Sequence, residues 1–184
     1  MRRREFITLL GGAAAAWPLR VGAQQGERKW RIGYLTLAPG PSARQSGAFE
    51  QGLRELGYTP NRNITIEYRW AAGRLDRLPA LAEELVQLKP DVIVGAPTPV
   101  IKALQNATNS IPIVIAHSAD PVATGFAATL AKPGGNITGL SVVSIELAPK
   151  RIELLHELLP GIARVAFLAH GADPAAGMFI KESQ

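Results

Sequence analysis

The chain has no cysteine, so a disulfide framework, a thiolate metal site and a cysteine nucleophile are all excluded. No apolar run reaches the roughly 18 residues that a membrane-spanning helix needs. Neither G-x-G-x-x-G after the first predicted strand nor G-x-x-x-x-G-K-[ST] occurs, so no Gly-rich loop is there to cradle a pyrophosphate. His117, His156 and His170 show no metal-ligand spacing, and the G-x-S-x-G elbow of a serine hydrolase is missing. Ser118 beside His117 is a poor substitute, because adjacent strand residues point to opposite faces. No catalytic residue, cofactor or metal is therefore expected, and the chain is not read as an enzyme. The basic excess is also local. Residues 1–23 hold Arg2, Arg3, Arg4 and Arg20 against Glu5, whereas Gln24 onward carries 16 basic and 14 acidic residues. That balance argues against a nucleic-acid partner.

What is present is 184 residues, 47% of them hydrophobic, enough for one packed domain and part of another. The chain opens with an address. Arg2-Arg3-Arg4 is a basic start, Phe6 to Trp17 a mildly apolar stretch rich in Gly and Ala, and Val21-Gly22-Ala23 a small-residue cleavage site. Arg3-Arg4-Glu5-Phe6-Ile7 resembles the twin-arginine export motif. Residues 1–23 are thus expected to be a twin-arginine-type signal peptide with Arg3, Arg4, Phe6 and Ala23 as its marks. Export to the periplasm follows; an amphipathic helix of the fold or an uncleaved anchor is the alternative.

From residue 28 the sequence alternates strand and helix. Arg31–Thr36 is short and apolar and reads as a buried strand. Ser42 can cap a helix carrying Phe49, Leu53 and Leu56 and closed by Gly57. Asn63–Tyr68 is a second strand, and Pro79 marks the first turn of a helix bearing Leu81, Ala82, Leu85 and Leu88. Asp91–Val94 and Ile111–Ala116 are further strands, with a helix over Val100–Asn106 between them. This order predicts an α/β, doubly wound parallel sheet. Pro121–Ala131 reads as a weak helix, Ile137–Ser141 as an edge strand, and Arg164–Ala169 as one more strand. Between the last two, a helix from Ile145 places Ala148, Ile152, Leu155 and Leu159 on one stripe.

In an open parallel sheet, ligands bind beyond the carboxyl ends of the strands. Three loops qualify: the one containing Thr36 and Ala38, the Ala96-Pro97-Thr98-Pro99 turn, and Ser118-Ala119-Asp120. Thr98 can offer a hydroxyl beside a helix start, a seat for a carboxylate; Asp120 can pair with an amino group, and Ser118 can bond either end. The other reading is that Thr98 and Asp120 simply cap helices. The later strand-end loop adds His170 and Asp173. Tyr34 and Trp70 read as packing or edge residues.

Several segments, taken in order, resemble bacterial ABC-transporter substrate-binding proteins of the tryptophan/tyrosine type. They include Arg3–Gly12, Arg31–Leu35, Phe49–Tyr58, Asn63–Ala71, Asp76–Ala82, Ile111–Val114, Asp120–Val122, Lys132–Gly139 and Lys150–Leu155. The resemblance implies a periplasmic-binding-protein-like (type I) fold, in which two lobes close on a small solute without chemistry. It also implies partnership with an ABC permease and its ATPase subunits, an amino acid as one candidate solute, and a monomer. On that reading residues 28–141 form the first lobe, and 142–184 the hinge and start of an incomplete second. A small exported α/β enzyme, or the effector-binding domain of a repressor, is the alternative.

Overall fold

The structure is a computed structural model, and it describes residues 29–41, 46–142 and 144–183. Arg3, Arg4, Phe6 and Ala23, and the expected helix cap Ser42, lie outside the described residues. Five parallel strands make one sheet: β1 (Trp30–Thr36), β2 (Ile64–Trp70), β3 (Val92–Ala96), β4 (Ile113–Ser118) and β5 (Ile137–Ser141), in the order β2-β1-β3-β4-β5. Parallel neighbours need long crossovers, and the chain uses helices for three of them. These are α1 (Ser46–Glu55), α2 (Leu78–Gln87) and α3 (Thr98–Ala107).

The strands are apolar runs because helices cover them. Ile32 to Thr36 are buried without interruption, as expected of a central strand with two occupied faces. One face sends Leu35, Ile93, Ile113 and Ile115 against Leu81 and Leu85 of α2 and Ile101 and Leu104 of α3. The other sends Ile32, Tyr34, Ile64 and Val94 against Phe49 and Leu53 of α1. Gly95 sets how closely α3 rests on the sheet: a Cβ there would lie 2.7 Å from Leu104 Cδ1 and 2.9 Å from Ile101 Cδ1. Gly139, at φ +134°, leaves room at the β4–β5 irregularity, where a side chain would run into the Ile115 backbone. This is the expected α/β lobe, a parallel sheet covered by helices on both faces.

Two sequence expectations fail. Residues 121–135 are successive turns, not a helix. Asp120 Oδ1 accepts from the N–H groups of Val122 and Ala123, and Pro121 O accepts from those of Phe126 and Ala127. Gly125, at φ +75°, ends any helical path, and Thr and Gly are weak helix formers. Arg164–Ala169 forms no strand either. An apolar run becomes a strand only beside a partner, and none lies there among the described residues. Phe167 is 51% exposed and Leu168 99%. The helix from Ile145 begins at Ala148 as α4 (Ala148–Leu158), and α5 (Ala176–Glu182) follows. Ala148 is buried, but Leu155 and Leu159 on the expected stripe stay open to solvent. A small cluster of Ala119, Ile145 and Ala175, with Met178 and Phe179 against it, joins this segment to the lobe.

Candidate functional site

The carboxyl ends of β1, β3 and β4 gather the polar residues picked out in the sequence, but they do not present them equally. Thr98, at the first position of α3, and Ser118, the last residue of β4, are 4% and 1% exposed. Their hydroxyl oxygens lie 3.0 Å apart, and the Ala119 N–H donates to Thr98 Oγ1 at 3.0 Å. Two strand ends are thereby stitched together, and both hydroxyls are satisfied inside the protein. Thr36, also buried, accepts from the Ala38 N–H at 3.3 Å. Ala96 closes β3 and is buried, with a cis peptide to Pro97. Asp120 holds the following turn through its Oδ1. Asp173 does the same for Ala175, whose N–H lies 2.9 Å from its Oδ1. His170 is exposed, and its Nδ1 accepts from the Ala172 N–H at 3.2 Å.

A cavity of about 660 Å³ opens between the Gly73–Asp76 turn, the start of α2, the face of α3 from Pro99 to Asn106 and the loop around His170. Of the residues marked in the sequence, Pro99 and His170 line it; Thr36, Ala38, Ala96, Thr98, Ser118, Asp120 and Asp173 do not. Its apolar wall is Leu75, Leu78, Pro79, Pro99 and Ala103, and its polar rim is Arg74, Asp76, Lys102, Asn106 and His170. Arg74 grips Asp76 in a two-point pair, NH2 to Oδ2 at 2.6 Å and Nε to Oδ1 at 3.2 Å. Those hydrogen bonds hold the Asp76 carboxyl below its usual range and push the Arg74 guanidinium up. Lys102 Nζ donates to Gln105 Oε1 at 3.0 Å. Sequence reasoning missed these four polar residues beside His170. The available signal was the spacing Pro99, Lys102, Ala103, Asn106, one face of a helix that starts at a strand end.

The far face of the sheet carries an aromatic group. Tyr34 lies 5.2 Å from Phe49 and 5.3 Å from Tyr68, and Tyr68 stacks on Trp70 at 5.3 Å. Tyr34 and Trp70 thus pack, as their sequence context suggested. The Tyr68 hydroxyl donates to Glu50 Oε1 at 3.0 Å; burial first, and that bond second, push its pKa well above the ordinary tyrosine value. Among the described residues no group of three His, Asp or Glu side chains is placed to hold a metal ion.

A parallel α/β lobe serves solute-binding proteins among many others, and comparison with known proteins decides between them. Residues 36–182 match the family model for the ABC transporter substrate binding protein. A tyrosine-binding protein of Clostridioides difficile is 32% identical over 144 residues, which are 77% of this chain and 41% of that one. A conserved domain protein of Vibrio cholerae superposes with a TM-score of 0.76 at 28% identity, covering 85% of this chain and 52% of that one. An ABC domain from Streptococcus pneumonia in complex with L-Trp gives a TM-score of 0.74 at 27% identity, over 84% and 52%. The chain belongs to the ABC transporter substrate-binding protein family. It spans about half the length of these solved relatives and 41% of the curated one. Proteins of this family bind small solutes, generally work outside the cytoplasm, and act with a permease and an ATPase.

Proposed function

We propose that this chain contributes the first lobe, residues 28–141, and the opening of the second, residues 142–184, to the solute-binding component of an ABC uptake system. Its solute is a small aromatic amino acid, held without any bond being made or broken. The observation that carries this reading is the cavity itself: it lies between the start of α2 and the Pro99–Asn106 face of α3, takes in the His170 loop, and pairs an apolar wall with a charged rim. A zwitterion with an apolar side chain needs both. The Trp-bound Streptococcus structure and the tyrosine-binding relative support that choice of solute. Thr98 and Ser118 act here as the rigid layer behind the cavity, and Asp120 and Asp173 as braces of the loops beside it. Residues 1–23 direct the chain through the twin-arginine route to the periplasm, where permease and ATPase subunits are its partners.

Calorimetry of residues 24–184 with L-tryptophan and L-tyrosine tests the binding role. Saturable heat with no new product is the expected result. No heat with either solute, or turnover of one, ends the proposal. For export, Arg3→Lys together with Arg4→Lys is expected to strand the precursor in the cytoplasm; normal delivery of that variant removes the twin-arginine assignment.

A further inference from the structure

We propose that Lys102 selects for a carboxylate-bearing solute in this cleft, an assignment that rests on the binding role above. The rim of the cavity carries two permanent cations, Arg74 and Lys102, with one carboxylate, Asp76, and the imidazole of His170. The cations are not equivalent. Arg74 is committed to Asp76 through two hydrogen bonds, so its charge is already matched. Lys102 has a neutral partner, the Gln105 side-chain oxygen, which takes one of three N–H donors and none of the charge. An anion entering the cavity therefore meets Lys102 as its unmatched cation. Asn106, one helical turn further along α3, lines the same cavity and offers an amide donor beside it. The apolar wall of Leu75, Leu78, Pro79, Pro99 and Ala103 is left for the side chain of the solute.

A charge-assisted hydrogen bond is stronger than a neutral one, but a rim position is partly screened by water. The expected effect is therefore roughly tenfold in affinity. The test compares L-tryptophan with tryptamine, which keeps the ring and ammonium and lacks the carboxylate, by calorimetry on the 184-residue chain. The unaltered chain is expected to prefer L-tryptophan. Lys102→Met is expected to weaken L-tryptophan about tenfold while moving tryptamine less than twofold, and Lys102→Arg to recover most of the loss. Unchanged L-tryptophan binding by Lys102→Met overturns this assignment and leaves the binding role standing. A parallel fall for both ligands overturns it too, because a merely structural role moves them together. Failure of the unaltered chain to bind either ligand overturns the binding role and this assignment with it.

Discussion

Leu85 lies on the buried stripe of α2 and Leu158 at the last position of α4, both amphipathic helices, and Leu85 is fully buried while Leu158 is 75% exposed. The difference lies in what faces each helix. α2 has β1, β3 and α3 to pack on, with Ile93, Ile101 and Leu104 all sealed around it. Among the described residues, α4 meets the short α5, and the Ala119–Ile145–Ala175 cluster draws its residues from before and after α4 in the chain. Helical periodicity specifies a stripe; burial energy arrives only when another element meets that stripe. Residues 30–141 have such partners for nearly every strand. Residues 144–183 leave Leu154, Leu158, Leu159, Phe167 and Leu168 at least half exposed.

The contrast can be broken by substitution. Leu85→Ala is expected to cost about 2–5 kcal/mol, since it opens a cavity in a closed core. A loss below ~1 kcal/mol in urea unfolding would erase the distinction between the regions. Thr98→Val keeps the shape but leaves the Ala119 N–H and the Ser118 hydroxyl without their partner. It is expected to cost about 1–3 kcal/mol, and a neutral result would show that water reaches the stitched layer.

Tyr68 offers a milder probe through pH. Its raised pKa means that the unfolded chain gives up the phenolic proton first, near the ordinary value of about 10. The stabilisation is whole below that pH and drains away as pH climbs past it. Tyr34, also raised by burial, adds to the same decline. Tyr68→Phe should cost about 1 kcal/mol at neutral pH and flatten part of the alkaline fall. An unaltered alkaline slope would exclude Tyr68 as its source. The smallest effect belongs to Leu158→Ala, expected within about 0.5 kcal/mol of neutral. A loss comparable to that of Leu85→Ala would mean that α4 is packed in solution after all.

The sheet was legible because buried parallel strands leave near-continuous apolar runs, as in Ile32–Leu35 and Val92–Val94, and because Gly57 and Pro79 punctuate the helices. The turns of 121–135 were not, since the Ala content of 121–131 reads as helical while Gly125, at φ +75°, breaks any helical path. Arg164–Ala169 has the composition of a strand, but a strand is a property of two segments and one was not enough. Of the nine residues that strand-end logic marked, Pro99 and His170 line the cavity and the other seven do not. That logic could not know that Thr98 and Ser118, 20 residues apart, satisfy each other. Nor could it bring Arg74 and Asp76, from the turn after β2, to the same cavity as Lys102 on α3.

The segment after β2 is pinned to the segment after β1: the Ala72 and Gly73 N–H groups donate to the carbonyls of Ala38 and Leu37, at 3.2 and 2.8 Å. Folding has therefore already ordered the backbone that carries Gly73 and Arg74, and a ligand touching them is spared that part of the entropic cost of binding.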